Sequence, residues 1–150
     1  MALSFLISPD DQELIGPDTL SLLARSYGEL FTLPESSVEL SLASVEEIRE
    51  LNEQYRQIQE ATDVLSFPTF SSLTELQQIP LGIPILLGSI IICPEKAVAY
   101  QETLPQLTHH GLLHLLGFDH ETNLEQWTLT EQKILSTLSG HGLVIPSLLT

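Results

Sequence analysis

The most continuous apolar run of the chain is Leu86-Leu87-Gly88-Ser89-Ile90-Ile91-Ile92-Cys93. A short run that is rich in β-branched isoleucine is typical of a strand buried on both faces of a sheet. We therefore predict that residues 86–93 form the central strand of the fold. Pro94 follows at once and suits the first turn of a helix, so the strand should lead into a helix that ends near Thr103.

Other segments of the chain show strand or helix patterns. Strand character is found at Leu3–Ile7, Val38–Leu42 and Asp63–Phe67. Ser44 and Glu47 have the spacing of a capping box, which predicts that a helix begins there. Further helices are predicted at Pro17–Phe31, Pro105–Gly117 and Leu124–Leu138, the last with Leu124, Trp127, Ile134, Leu135 and Leu138 facing inward.

These elements together predict an α+β fold. We expect a small mixed sheet of about four strands packed with about five helices, in a single layered domain that spans residues 1–150. The segment Thr69–Pro84 mixes serines, prolines and a glycine, and it is predicted to be a loop.

The composition limits the possible partners. Five basic residues face twenty acidic ones in a chain of 150 residues, and the formal net charge is −15. Such a chain lacks the basic stripe that diffuse binding of nucleic acid requires, so any phosphate must be bound locally. No apolar stretch reaches the roughly 18–20 residues of a membrane helix, and no membrane partner is expected. The only cysteine, Cys93, is predicted to be a buried, inert thiol and favours a reducing, cytoplasmic setting.

Three histidines form the strongest functional pattern. His110 and His114 are four residues apart, so on a helix their imidazoles project from one face. His120 follows Gly117, a residue that can end the helix and turn the chain back. Three imidazoles with an open fourth position are typical of a catalytic zinc site. Imidazole also suits nickel, copper and iron, so the metal itself is left open.

The spacing of these histidines also occurs in the metzincin protease motif, where a glutamate follows the first histidine and acts as general base. This chain has Gly111 at that position. The comparison therefore favours metal binding and disfavours a conventional peptidase.

The residues around this motif receive weaker predictions. His109 points off the shared helix face and is expected to be exposed, while His141 in a loop is expected to be structural or unconstrained. Asp119 could orient a ligand imidazole, accept a proton, or simply cap the turn or the next helix.

Two blocks of sequence resemble the YbeY family of bacterial metal-dependent endoribonucleases. Residues 110–120 read HGLLHLLGFDH and match the family pattern H-G-x-L-H-L-x-G-[YF]-D-H at every fixed position. Residues 51–56 read LNEQYR and residues 62–68 read TDVLSFP, similar to L-N-x-x-[YF]-R and T-[DN]-V-L-S-F-P. The chain departs from the family at Ser89, where members commonly carry an acidic residue.

The resemblance implies that His110, His114 and His120 bind one Zn²⁺ ion and that Arg56 is the catalytic arginine. Independently, a guanidinium near the metal could hold a phosphate through two parallel hydrogen bonds. The other reading of Arg56 is a surface ion pair with Glu53 or Glu60.

The leading hypothesis is a cytoplasmic, zinc-dependent endoribonuclease specific for single-stranded RNA. It would act on ribosomal RNA, at the 3′ end of 16S rRNA and in ribosome quality control, with the ribosome or ribosomal proteins as partners and no DNA. One alternative is a metal hydrolase of a peptide or small molecule, which Gly111 disfavours in its peptide form. Another is a non-catalytic ribosome-associated factor stabilised by zinc, which the net charge of −15 favours.

Overall fold

A computed structural model of the chain describes residues 3–80 and 82–149. Within them lie four strands, which are β1 (Leu3–Leu6), β2 (Ser36–Leu42), β3 (Val64–Pro68) and β4 (Ile85–Ile92). The same residues contain seven helices, which are α1 (Pro9–Ile15), α2 (Pro17–Phe31), α3 (Val45–Arg56), α4 (Leu73–Gln77), α5 (Pro94–Ala99), α6 (Leu104–Leu115) and α7 (Leu124–Gly140). The predicted α+β class with a four-stranded sheet is confirmed.

The sheet is mixed, with strand order β1-β2-β4-β3. β1 pairs with β2 and β2 pairs with β4 in parallel, whereas β3 pairs with β4 in antiparallel orientation. β4 therefore lies between two neighbours, as its continuous apolar sequence predicts. β3 lies at one edge of the sheet, which leaves its outer side available to form the wall of a cavity.

The two faces of β4 pack against different groups of side chains. Ile90 and Ile92 belong to the larger hydrophobic cluster, which also includes the buried leucines of α6. Cys93 and, less deeply, Ile91 pack with Ile48 of α3 in a smaller cluster. Because side chains alternate across a strand, the sheet separates α6 from α3.

Two parts of the sequence prediction were wrong. The segment Thr69–Pro84 is not entirely a loop, because it contains α4, whose N-cap Ser72 accepts a hydrogen bond from the Glu75 amide and which buries Leu76. Leu124 does not face inward, because it lies in the first turn of α7 and its side chain is exposed. The short helix α1 was also not foreseen. No helix among the described residues has both the length and the apolar character needed to cross a bilayer.

Candidate metal centre

α6 carries the first two histidines of the motif. Its N-terminus is closed by a capping box, in which Thr103 accepts from the Gln106 amide and the Gln106 side chain accepts from the Thr103 amide. Among its residues, Gly111 packs directly on β4: an added Cβ would lie 2.9 Å from side-chain atoms of Ile90. Position 111 therefore faces the sheet, and a glutamate there would enter the core rather than reach the histidines.

The turn after α6 brings the third histidine back to the helix. Gly117 has φ of +96°, and a Cβ there would lie 2.8 Å from the Ser72 backbone, so both conformation and space require glycine. Asp119 accepts a hydrogen bond from the Glu121 amide at 2.9 Å, which identifies it as a cap of this turn. The capping role considered for Asp119 is thus the one that the hydrogen bonds show.

The structure brings His110, His114 and His120 together. Their ring centroids lie 4.9 Å, 5.2 Å and 5.3 Å apart. One potential ligand atom from each residue lies within 4.8 Å of the others. Two helical ligands and one ligand from a turn therefore converge on a volume that a single metal ion could occupy.

The electrostatic setting favours the neutral form of His110 and His114, because the pKa of each imidazole is lowered. Burial, together with the neighbouring His114 and His120, lowers the pKa of His110 to about 4. Burial and the proximity of His120 also lower the pKa of His114. The buried Nδ1 atom of His110 has no hydrogen-bond partner among the described residues. Neutral imidazoles are the form that binds metal, so this donor set fits a divalent cation such as zinc or nickel.

Trp127 of α7 forms the inner wall of the histidine cluster. Its ring lies 4.8 Å from His110, 4.9 Å from His114 and 5.0 Å from His120, measured between centroids. The side chain is fully buried, and its Nε1 atom has no partner among the described residues. An unpaired buried donor of this kind costs about 1–3 kcal/mol. The sequence predicted only that Trp127 faces inward.

The outer side of the cluster opens into a cavity of about 470 Å³. All three histidines line it, whereas Trp127 does not. Arg56 and residues of β3 also line this cavity. The open position of a metal bound by the histidines would therefore face the cavity and not the core.

Arg56 is the last residue of α3. The helix ends there because Gln57 adopts a left-handed conformation with φ of +57°. The Asn52 side chain donates to the Glu60 carbonyl at 2.8 Å and so fixes the segment that follows the helix. Arg56 is exposed and forms no ion pair within the part of the chain that the structure describes. The alternative reading of Arg56, a pair with Glu53 or Glu60, is therefore not observed, and its guanidinium is free to meet a ligand.

The prediction that His109 is exposed was wrong. Its side chain is 1% exposed and lies between α2 and α7. Nε2 donates to Glu131 Oε2 at 2.9 Å, while Nδ1 lies 2.8 Å from the Tyr27 hydroxyl, which also donates to the His109 carbonyl. Ser147 donates to the other oxygen of Glu131. Burial alone would raise the pKa of Glu131, but the hydrogen bonds from His109 and Ser147 lower it.

The remaining candidate residues lie away from the cavity. Ser89 donates to Glu39 Oε2 on the neighbouring strand at 3.0 Å, so a carboxylate lies directly beside Ser89. Cys93, directly after β4, is buried, and none of the described residues is a histidine partner for its thiol. His141 lies 3.5 Å from Glu29 beyond the end of α7. Three acidic residues do line the cavity, namely Asp63, Asp119 and Glu121.

The fold and the site define an α+β protein with an open three-histidine centre. The sequence profile described as Endoribonuclease YbeY matches residues 19–139. The Endoribonuclease YbeY of Nautilia profundicola is 40% identical over 115 residues, which are 71% of this chain and 76% of that protein. The one of a Sulfurovum species (strain NBC37-1) is 36% identical over 138 residues, 87% of this chain and 88% of that protein. The chain belongs to the YbeY family.

A solved structure agrees with the observed architecture. The solution structure of the Thermotoga maritima protein TM1509 covers 93% of this chain and 90% of its own, with a TM-score of 0.55 and 26% sequence identity. The resemblance to this family, predicted from residues 51–56, 62–68 and 110–120, is confirmed by the sequence profile over residues 19–139 and by the two bacterial relatives.

Proposed function

We propose that the chain is a metal-dependent endoribonuclease that cuts single-stranded ribosomal RNA. The observation that carries the proposal is that Arg56 and the three histidines line the same cavity. His110, His114 and His120 would hold one divalent cation, with zinc as the expected ion and nickel as a second possibility. When bound there, that cation would supply Lewis acidity toward water or a phosphoryl oxygen.

Arg56 would bind the phosphate group that is cut. Its planar guanidinium can donate two parallel hydrogen bonds to phosphate oxygens, and its positive charge would stabilise negative charge that develops on them. Arg56 forms no ion pair with any described residue, which supports this role because no protein carboxylate has to be displaced before the phosphate binds.

The negative charge around the cavity favours RNA that is presented within a ribosomal particle over naked RNA. Asp63, Asp119 and Glu121 line the cavity, and the chain as a whole has a net charge of −15. Both would repel naked RNA, whereas an acidic surface complements basic ribosomal proteins. We therefore propose the precursor 3′ end of 16S rRNA within a ribosomal particle as the substrate, in 3′ end maturation and in ribosome quality control, in the cytoplasm.

The test compares cleavage of a short single-stranded RNA and of immature ribosomal particles by the zinc-loaded protein. His114→Ala should abolish cleavage, and Arg56→Ala should lower the rate by about 10²–10³-fold, the effect typical of removing one oxyanion donor. Arg49→Ala is the matched control, since Arg49 lies in the same helix α3, is exposed and does not line the cavity. It should leave the rate unchanged.

Two results would contradict the proposal. One is full activity of Arg56→Ala toward ribosomal particles, and the other is peptide cleavage that depends on His114 while RNA stays intact. The ends of the cut RNA identify the nucleophile, because a 2′,3′-cyclic phosphate requires attack by the 2′-hydroxyl, whereas water leaves a linear phosphate.

A further inference from the structure

We propose that Trp127 is a positioning residue of the three-histidine centre, whose indole fixes the two helical ligands and the turn ligand at the separation that one metal ion requires. The inference rests on the metal site of the proposed function. It concerns how this chain builds that site rather than which RNA it cuts.

The first support is that one ring contacts all three ligands at nearly equal distance. The centroid distances from Trp127 span only 4.8–5.0 Å, and those among the histidines span 4.9–5.3 Å. Four rings thus form a compact, nearly regular group. Each imidazole is restricted in rotation by the same rigid body, so less conformational freedom remains to be lost when a metal binds.

The second support is that the ligands come from two segments. His110 and His114 are held by the α6 backbone, but His120 lies beyond Gly117 in a turn. No hydrogen bond to a His120 ring nitrogen is found within the described ranges 3–80 and 82–149. The edge-on contact with Trp127, with an interplanar angle of 86°, joins this turn ligand to the helical pair from the core side.

The third support is that ordinary hydrogen bonding does not explain an indole at this position. Its Nε1 atom is buried without a partner in the described part of the chain, although tryptophan in a protein interior usually finds one. We therefore attribute the role of Trp127 to the shape and rigidity of its indole ring. α7 is in turn fixed to α6 one turn further along, where Glu131 accepts from His109.

The chain contains a single tryptophan, so tryptophan fluorescence reports only on the contact between Trp127 and the histidines. Nickel chloride added to the metal-free full-length protein should quench that emission, because an open-shell ion near the indole provides a non-radiative path. Excess zinc chloride should restore the emission by displacing nickel. His114→Ala should show neither effect. Emission that is unchanged while nickel binds would overturn the placement of Trp127 against the ion.

Positioning itself is tested by metal affinity, measured by competition with a chromophoric chelator. Trp127→Leu should weaken binding by at least about tenfold, the effect typical of residues that orient metal ligands. Trp127→Phe keeps a ring and should weaken metal binding measurably, but by less than Trp127→Leu does. Leu138→Ala is the matched control, because Leu138 is equally buried in α7 and has no ring contact with the histidines. It should lower the melting temperature but leave affinity within about twofold.

The outcomes separate this inference from the function on which it rests. Unaltered affinity in Trp127→Phe, or an equal loss in Leu138→Ala, would overturn the positioning role, and these two variants decide the question even if Trp127→Leu does not fold. If the native chain binds no nickel or zinc, the proposed metal site itself fails.

Discussion

His109 Nε2 lies 2.9 Å from Glu131 Oε2, and both side chains are buried directly behind the candidate metal centre. This pair joins α6 to α7 and, through Tyr27 and Ser147, also to α2 and the C-terminal segment. Burial, with the charge of Glu131, raises the pKa of the Tyr27 hydroxyl well above its ordinary value, so the hydroxyl remains a donor over the whole usable pH range. The network therefore stabilises the helix that carries two of the candidate ligands.

Glu131→Ala should lower the free energy of unfolding by about 1–3 kcal/mol, because it leaves the buried His109 N–H without its acceptor. Urea denaturation of the metal-free protein measures this. Glu125→Gln, a change at an exposed position of the same helix, should alter stability by less than about 0.5 kcal/mol. An equal effect of both substitutions would show that the pair is not a special source of stability.

Gly111→Ala should lower the free energy of unfolding by about 1–3 kcal/mol, because its Cβ would lie 2.9 Å from Ile90 side-chain atoms. Gly140→Ala is the matched helical control. Nothing lies within 4 Å of a Cβ at that position, so alanine there should be neutral or stabilising by up to about 1 kcal/mol. The changes in melting temperature of the two variants should therefore have opposite signs or differ clearly in magnitude. A stabilised Gly111→Ala protein would contradict the close packing of α6 on β4.

Glu102→Gln should reduce the pH dependence of stability. Burial, with the nearby Asp63, raises the pKa of Glu102 from 4.5 to about 8. The folded chain thus binds this proton more tightly than the unfolded chain, and stability that is fully present below about pH 4.5 is lost as the pH rises toward about 8. The variant should be more stable than the native chain at pH 8 and should show a flatter profile between these values. Glu95→Gln, at an exposed position of α5, should keep the native profile.

Metal removal should lower the melting temperature of the native chain. A ligand at 100 times its dissociation constant stabilises the folded state by about 2.7 kcal/mol, which corresponds to roughly 5–10 °C for a chain of this size. His120→Ala should abolish the shift between zinc-loaded and chelator-treated protein. His141→Ala should retain it, since His141 lies outside the cluster beside Glu29. A shift that survives His120→Ala would mean that zinc stabilises the chain from another site.

Local patterns explain which features the sequence could predict. The isoleucine-rich strand, the capping box at Ser44, and the convergence of His110 and His114 all depend on residues within one or two turns of each other. Arg56 required the family resemblance, because 54 residues separate it from His110 and no periodicity relates them.

Long-range contacts explain what the sequence could not predict. His109 points off the helix face of the other histidines, which predicts exposure, and its burial depends on Glu131 and Tyr27, which lie 22 and 82 residues away in sequence. The contacts of Trp127 are long-range as well. Its apolar character predicted burial, but only the packing of α7 against α6 shows that it contacts three imidazoles. The short helix α4 has a capped start at Ser72, yet its segment is too rich in prolines and serines for that signal to stand out.

The contact between Gly111 and Ile90 also limits how this scaffold can evolve. A single substitution, Gly111→Glu, would give the protease-like order His-Glu-x-x-His. In this fold that step leads into the packed layer between α6 and β4, where a carboxylate would be desolvated without reaching the cavity. A side-chain base would have to come from another residue that lines the cavity. The packing of α6 on β4 therefore prevents this scaffold from acquiring the protease arrangement by a change at position 111 alone.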